Sequence, residues 1–383
     1  MRPAPQFTPR RPAAATRHLR TVLTGWLGPA VRLPTGRRKC TPAAVWQVLL
    51  WAAAFARSVA AACQAVPGAP TGQAVWDALR LALPKRRRTL EGRLLTALRA
   101  PLPRRPRPAR VAFDYHRIPY YGGPTRDTTR GKHAAGTHNF HTYATACVVG
   151  GPDRYTVGLT AVAAREPMAA VLVRLLDQVA AAGVPVRVAL LDRAFFAVAV
   201  VQLLQARGVP FAIPAVIRGR KPRPGVPAIG LRAVRRRPAG RYAYTLASRG
   251  RSAEAEVVVA HKSYRHCRTR RRHTRKLLYL AWRVPGDPVA VRDLYRLRFG
   301  IESSYRQLGE VRPRTSSPDG VIRLLWVAIG LVVRNAWVWA RRRAGPRWTL
   351  AAARLVLLLD ILMAFTRSTP TDPEPSPPRG RRT

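Results

Sequence analysis

Residues 291–316, VRDLYRLRFGIESSYRQLGEVRPRTS, carry the pattern from which the architecture of this chain can be predicted. Between residues 293 and 308 there is no proline and one glycine among strong helix formers, which predicts a helix. Four side chains fall at i, i+3, i+7 and i+11, on one side of that helix: Tyr295, Arg298, Glu302 and Arg306. A carboxylate between guanidinium groups can hold a metal ion while the arginines bind phosphates. A surface helix with ordinary Arg–Glu pairs would show the same spacing.

The charge of the chain points to a polyanionic partner. Lys and Arg number 68 against 18 Asp and Glu, which gives a formal net charge of +50. Self-repulsion of this size destabilises a compact fold, so we expect a polyanionic partner, and nucleic acid first of all, to neutralise it. A bias of the coding sequence towards Ala, Arg and Pro explains part of the arginine excess. It does not explain the scarcity of acids, since residues 1–110 contain only Asp77 and Glu91.

Length and composition predict a cytoplasmic protein of two or three domains. The 383 residues are 47% hydrophobic, which is ample for real cores. The four cysteines lie far apart without a CxxC pair, and this favours a reducing cytoplasm. No apolar segment typical of a secretory signal follows Met1. The apolar runs around 43–56, 324–333 and 350–365 are short or interrupted, which predicts buried core helices and not membrane spans.

The character of the sequence changes along the chain, and we predict six segments. They are a disordered basic arm (1–17), a helical N-terminal DNA-binding region with a basic linker (18–110), a first part of the core (111–216), a β-rich basic insertion (217–287), a helical last part of the core (288–366) and a disordered tail (367–383).

The N-terminal region contains a possible helix-turn-helix. Two short helical patterns flank the break PGAPTG, and Thr71 is a candidate N-cap. In that interpretation the helix from Gln73 to Leu83 would face the major groove. A plain helical bundle with a charged surface is the alternative.

The central region predicts an α/β fold. From Val111 onward, five strand patterns and two helix patterns follow one another: VAFDYHRIPYY, HTYATACVVGG, RYTVGLTAV, PMAAVLVRLLDQVAAAG, VRVALLD, FAVAVVQLLQARG and VPFAIPAV. Three strands, a helix, a strand, a helix and a strand make a mixed sheet flanked by helices.

Two of the scarce acids follow apolar strands. Asp114 follows Val-Ala-Phe and Asp192 follows Val-Ala-Leu-Leu, at the strand ends where catalytic groups of open α/β sheets gather. If the first and fourth strands are neighbours, the two carboxylates lie side by side and need a cation, for which a hard divalent ion is suited. Adding Glu302 would complete a pocket for two ions. Each aspartate alone could instead be a turn acid.

Three stretches, FDYHRIPYYG, LLDRAFF and YRLRFGIESSYRQLGEVRPRTS, resemble the motifs of DDE transposases of bacterial and archaeal insertion sequences. The branch is the one with a Tyr-x2-Arg-x3-Glu signature and a β-rich insertion before the glutamate. The resemblance covers about residues 111–335. It implies an RNase H-like core in which Asp114, Asp192 and Glu302 bind two Mg²⁺ or Mn²⁺ ions, while Tyr295 and Arg298 contact transposon-end DNA.

The sequence departs from that family at two positions. The lysine seven residues after the glutamate is here Gly309, so Arg306 or Arg312 would supply its phosphate contact. The glycine usual after the neighbour of the second acid is here Ala194. In the insertion, the basic run 265–276 predicts phosphate binding or a solvated loop, and its central cations are Arg270, Arg271 and Arg272.

Other groups are weaker candidates. Asp127 lies in a polar loop without a strand before it. Ser303 and Ser304 have no His and Asp partners for nucleophilic catalysis. One further group matches no common zinc spacing: His261, His266, Cys267 and His273.

The expected function is that of a DNA transposase, which cleaves double-stranded DNA at transposon ends and transfers the freed strand into target DNA. Action on two ends at once favours a homodimer in the complex with DNA. Two alternatives remain open. One is a metal-dependent nuclease or resolvase on the same core, which cuts without joining. The other is a non-catalytic basic protein that binds nucleic acid.

Overall fold

The N-terminal region of the protein is helical. The computed structural model describes residues 18–34, 40–151, 154–225, 227–265, 267–345 and 348–366, so the predicted basic arm and tail lie outside the described residues. Five helices come first: α1 (Leu19–Leu27), α2 (Pro42–Phe55), α3 (Val59–Ala65), α4 (Gly72–Ala82) and α5 (Arg87–Arg99). The predicted cap Thr71 is confirmed, because its side chain accepts from the Ala74 N–H at 3.2 Å and so satisfies a free donor of α4.

The exposed side of α4 is not strongly basic. Asp77 lies on it, bonded to Gln73 at 2.8 Å and paired with Arg80 at 3.5 Å. Entry of this helix into the major groove stays a prediction.

Nine strands of the described residues form one mixed sheet. Their order is β2-β3-β1-β5-β6-β9-β8-β7, with β4 also paired to β3. The β1–β5 and β5–β6 pairs are parallel, and the other pairs are antiparallel. The strands are β1 (Ala109–Tyr120), β2 (Thr129–Ala134), β3 (Thr137–Val149), β4 (Thr156–Val162), β5 (Val186–Leu191), β6 (Phe211–Pro214), β7 (Gly240–Ser248), β8 (Arg251–Arg265) and β9 (Arg272–Trp282).

Helices cover both faces of this sheet, and the predicted mixed sheet flanked by helices is confirmed. Phe113 and Leu191 face the side on which α6 and α7 pack, whereas Ala112 and Leu190 face α9 and α10. The alternation follows from the two-residue period of a strand. The helices of this part are α6 (Met168–Ala181), α7 (Val198–Ala206), α8 (Leu231–Val234), α9 (Pro288–Arg296), α10 (Phe299–Glu310), α11 (Gly320–Ala344) and α12 (Leu350–Thr366).

Strand β1 is longer than the sequence predicted. It was expected to end at Asp114, but it continues to Tyr120, because β3 pairs with it in an antiparallel hairpin as far as Tyr120↔Asn139. The parallel partner β5 stops earlier, at Phe113↔Leu191. Asp114 therefore lies within a strand, yet just beyond the last parallel pair.

The strands of the predicted insertion continue the main sheet. Phe211 of β6 pairs with Trp282 of β9, and β9 pairs with β8 along its whole length. The proposed boundaries of the insertion stay a prediction. Its strands lie beside the ends of β5 and β6, which brings their basic residues to the same edge as Asp192.

The outer edge of β4 is covered by side chains, which fixes helices α5, α6 and α11 against the sheet. An uncovered edge would leave backbone groups unpaired. Three side chains accept from its N–H groups: Glu91 from Ala161 at 2.8 Å, Gln178 from Leu159 at 2.7 Å and Asn335 from Thr156 at 3.0 Å. One of the two acids among residues 1–110 thus has a structural role.

Helix α11 is the central core helix. By length and composition it could cross a membrane, but 94% of its most apolar part is buried inside the protein. Helices α2 and α3 would qualify only as one broken span bent by 109°. Helix α11 packs against α1, α2, α5 and α12, so the first and last helices of the chain share one core.

Candidate active site and basic groove

The helix predicted across residues 293–308 is broken, and that prediction is wrong at residues 297–298. Helix α9 ends at Arg296 and α10 begins at Phe299. The N–H groups of Leu297 and Arg298 donate to carbonyls three residues earlier, at 3.1 and 3.0 Å, which tightens the turn. This turn directs the side chain of Arg298 towards the sheet.

Arg298 lies at the centre of the three predicted acids. Its Nη1 donates to Asp114 Oδ2 at 3.0 Å, and its Nη2 donates to Glu302 Oε1 at 2.7 Å. The same Nη2 lies 3.9 Å from Asp192 Oδ1. Arg298 is only 6% exposed, so these contacts form in a largely dry environment where charge pairing is strong.

The strand pairing explains how distant acids converge. Asp114 and Asp192 each follow one residue of the last parallel pair between β1 and β5, as expected if the first and fourth strands are neighbours. Glu302 comes from the first turn of α10. Their exposure differs, since the Asp114 side chain is 12% exposed against 39% for Asp192 and 48% for Glu302. Asp114 is the inner acid and the other two face solvent.

The electrostatics of this cluster depend on a nearby cation. The pKa of Asp114 is raised to about 6, chiefly by burial and also by the nearby Asp192 carboxylate, while the charge of Arg298 opposes this rise. Burial alone would lower the pKa of Arg298, but Tyr295 and the three carboxylates raise it. The charges of Arg298 and Asp114 therefore support each other.

Two tyrosines, one buried and one half-buried, fix the cluster, and the sequence indicated only the first of them. The Tyr295 hydroxyl donates to the Leu191 carbonyl at 3.1 Å and is 6% exposed. The Tyr305 hydroxyl donates to the Asp114 carbonyl at 3.1 Å, and burial raises its pKa well above the usual value. Tyr305 follows Glu302 by three residues, a helical spacing that could have indicated it. In this structure the Tyr295 side chain anchors α9 on β5. Contact of Tyr295 with DNA stays a prediction.

The three carboxylates fit a divalent metal by chemistry but not by their present arrangement. Oxygen donors are the ligands that Mg²⁺ and Mn²⁺ prefer. However, the guanidinium of Arg298 lies between the carboxylates. Among the described residues, no three acid, His or Cys side chains are grouped closely enough to hold one ion. The two-ion site stays a prediction.

A large basic groove begins at Asp192 and Arg298. Its volume is about 1180 Å³, and it lies between α9 and the strands β8 and β9. One carboxylate, Asp192, lines it. The cations that line it come from six separate parts of the fold: Arg193, Arg235, Lys262, Arg275, Lys276, Arg292, Arg296 and Arg298. Sequence analysis indicated Arg298, and the predicted phosphate-binding run 265–276 contains Arg275 and Lys276. The other five cations were missed, because cross-strand pairing and helix docking bring them together.

The other predicted DNA contacts lie outside this groove. Arg306 is exposed on α10, where it donates to Ser303 Oγ at 3.2 Å. Arg270 and Arg271 lie in the turn between β8 and β9, and Arg272 begins β9; all three are exposed. Arg312 lines a separate pocket. Their contact with DNA stays a prediction.

The weaker candidates of the sequence do not join the site. Asp127 pairs with Arg87 at 2.9 Å. His266 lies outside the described residues. His261, Cys267 and His273 belong to no metal-binding group within the described chain.

Solved structures include a distant likeness to this chain. No family model matches this chain, and no curated protein matches it. The cryo-EM structure of a piggyBac transposase synaptic complex with hairpin DNA is similar, with a TM-score of 0.48 at 12% identity. The likeness covers 78% of this chain and 60% of the other, so this chain spans less than two thirds of that protein. A likeness at this level assigns neither a family nor a function.

Proposed function

We propose that this protein is a DNA transposase that cleaves DNA at transposon ends and joins the freed 3′ ends to target DNA. One observation carries the proposal: Asp114, Asp192 and Glu302, far apart in the sequence, converge on Arg298 at the mouth of a basic groove. The same three acids occupy the motif positions by which the sequence resembles DDE transposases.

The basic groove is suited to the phosphate backbone of DNA. Its cations outnumber its single carboxylate, and their attraction for phosphates grows as counterions are released. Tyr264 and Phe299 also line it and are 43% and 51% exposed, which offers flat rings to bases. A strand held here passes the exposed acid Asp192.

Two Mg²⁺ or Mn²⁺ ions are the proposed cofactor, held by the three acids. Such ions, if held by the three acids, would supply Lewis-acid chemistry to the attacking oxygen and to the leaving oxygen. The role of the protein's own residues is to hold Asp114, Asp192 and Glu302 close together. Because an ionised Asp114 needs a neighbouring cation, Arg298 supplies that charge in the free protein and must leave the centre of the cluster when ions bind.

The assembly and location follow as further parts of the proposal. Simultaneous action on two ends favours a homodimer in the complex with DNA. The cysteines described are all free, which suits the reducing cytoplasm.

The test is a strand-transfer assay on a donor plasmid that carries the inverted repeats flanking the reading frame, with Mg²⁺. We expect the wild-type protein to cut and join, and Asp192→Ala to lose cleavage by about 10³-fold or more while its DNA affinity is unchanged. Asp177→Ala is the matched control, since Asp177 is an exposed acid that pairs with Arg207 on the surface.

Each other outcome contradicts the proposal. Cleavage without joining would indicate the nuclease or resolvase. Binding without cleavage would indicate the non-catalytic protein, which the neutralisation of the acids by Arg298 favours. Unchanged cutting by Asp192→Ala would remove the acids from the reaction.

A further inference from the structure

A second cationic cavity lies beside the far end of β1. Its volume is about 570 Å³, and it is lined by residues 118–122 at the end of β1, by residues 312–316 and by Arg323 of α11. We call it the arginine pocket, after Arg312, Arg314 and Arg323.

The three arginines of this pocket have no acidic partner among the described residues. Arg323 donates to the carbonyls of Ser317 and Thr315, and Arg314 donates to that of Gly309 at 3.3 Å. Arg312 makes no hydrogen bond within the described chain, and its Nε is buried. The pKa of Arg312 is lowered to about 10, chiefly by burial and in addition by the charges of Arg314 and Arg323.

Arg312 is half-buried, and a half-buried cation without an acidic partner is stabilised when an anion binds beside it. Arginine forks match the oxygens of phosphate, and Arg312 and Arg314, which line one pocket without acidic partners among the described residues, suit a phosphate group. The apolar side of the pocket, made by Ile118 and Pro119, excludes water and strengthens such a contact.

An aromatic ring stands at the rim of the pocket. Tyr121 is 74% exposed, whereas the neighbouring Tyr120 is 9% exposed and stacks under the Arg323 guanidinium at 4.9 Å. An exposed tyrosine beside a phosphate-binding cluster offers a stacking surface for a nucleobase. Phosphate and base sites within one cavity fit a single nucleotide.

Asp114 and two residues of the pocket, Ile118 and Tyr120, lie on the same face of β1. Side chains alternate along a strand, so Asp114, His116, Ile118 and Tyr120 point to one side. Four to six residues separate Asp114 from the pocket, which is about 13–20 Å at 3.3 Å per residue. That distance corresponds to about four to six base steps of a duplex, within reach of one DNA strand.

We propose that the arginine pocket binds one unpaired nucleotide of a DNA strand, with its phosphate on Arg312 and Arg314 and its base against Tyr121. This site is separate from the basic groove, and it does not require that the three acids cut DNA.

The test measures binding in buffer with EDTA, so that cleavage plays no part. The probes are deoxyadenosine monophosphate, inorganic phosphate and deoxyadenosine, titrated into the full chain. We expect Tyr121→Ala to weaken the monophosphate about 10-fold and to leave inorganic phosphate unchanged, since only stacking is lost. Arg312→Gln should weaken both phosphate-bearing probes about 10-fold or more.

The charge-matched control is Arg187→Gln, an exposed residue of β5 at the end of the strand opposite Asp192. It should change neither affinity. An equal loss with Arg187→Gln and Arg312→Gln would show general charge attraction and overturn the proposal. Loss of phosphate binding only in Arg312→Gln, with Tyr121→Ala unchanged for every probe, would overturn the assignment of a nucleotide.

A second measurement locates the nucleotide. A DNA hairpin with one unpaired 5-iododeoxyuridine is irradiated in complex with the protein, and the crosslinked peptide is identified. Crosslinking to Tyr121 that is lost in Arg312→Gln supports the proposal. Crosslinking only to Tyr264, the exposed tyrosine of the basic groove, overturns it.

Discussion

Arg298 and Arg312 stand near opposite ends of helix α10, and their surroundings differ in the sign of the neighbouring charges. Arg298 touches three carboxylates, which raise its pKa. Arg312 has Arg314 and Arg323 as neighbours and no hydrogen-bond partner among the described residues, and its pKa is lowered. The positive charge of Arg298, at one end of α10, is therefore balanced by carboxylates of the chain. The positive charge of Arg312, at the other end, is not balanced by an acid among the described residues.

This difference separates two kinds of functional region. The acid cluster around Arg298 is neutralised before any ligand arrives, so a ligand must displace an existing contact. The arginines of the arginine pocket have no acidic partner among the described residues, so an anionic ligand can bind there without breaking an ion pair. In a chain with a net charge of +50, acids are few, and where they lie decides which arginines have an acidic partner among the described residues.

The largest effect is expected from removing the compensated arginine. Arg298→Gln should lower the free energy of unfolding by about 3 kcal/mol, near the low end for a broken buried ion pair, since Asp192 and Glu302 are partly exposed. Urea denaturation followed by circular dichroism measures this. The control Arg306→Gln, on the exposed side of α10, should stay within about 0.5 kcal/mol.

A double-mutant cycle sharpens that prediction. Adding Asp114→Asn to Arg298→Gln should restore about 1–2 kcal/mol, because the uncompensated inner charge is removed. If Arg298→Gln were as stable as its control, Arg298 would not hold the acids together.

A smaller loss of stability is expected near the arginine pocket as the pH falls, because of His141. His141 is 2% exposed, and burial together with Arg323 and Arg87 lowers its pKa to about 4, while the Tyr120 ring packs against it. A lowered folded-state pKa stabilises the fold above the unfolded pKa of 6.5, and this contribution is lost as the pH falls towards 4.

The comparison of wild type with His141→Gln isolates that contribution. Between pH 7 and pH 4, wild type should lose about 1 kcal/mol more than the variant in urea denaturation, after allowance for solvent screening. Asp114 acts in the opposite sense, since its raised pKa favours the folded state as the pH falls through 6, but it is common to both proteins. Parallel pH profiles would contradict the prediction.

The smallest effect, and one of opposite sign, is expected from removing the uncompensated arginine. Arg312→Gln should leave the free energy of unfolding unchanged or raise it by up to about 1 kcal/mol, because the cost of burying an unpaired charge disappears. Thermal and urea denaturation measure it. A loss as large as that of Arg298→Gln would show that Arg312 has a compensating partner, and the contrast between the two arginines would fail.

The sequence indicated the acids of the candidate site, but it did not predict correctly the strand end and the helix break that surround them. Asp114 and Asp192 were recognisable because carboxylates directly after apolar strands stand out in so basic a chain. The end of β1 was predicted wrongly, since the pairing with β3 extends the strand beyond Asp114. The break between α9 and α10 was missed because helix propensity continues through residues 297–298, and contacts with the sheet decide the turn.

The sequence by itself determined the mixed sheet with flanking helices and the excess of positive charge, and it indicated the three acids that contact Arg298 in the structure. Local patterns were enough, because strand and helix periods and the scarcity of carboxylates are properties of neighbouring residues. Only the tertiary structure decided which arginine lies among the acids and which is left unpaired. That outcome depends on pairing between β1 and β5 and on the docking of α10 and α11, and no local pattern encodes contacts across such separations.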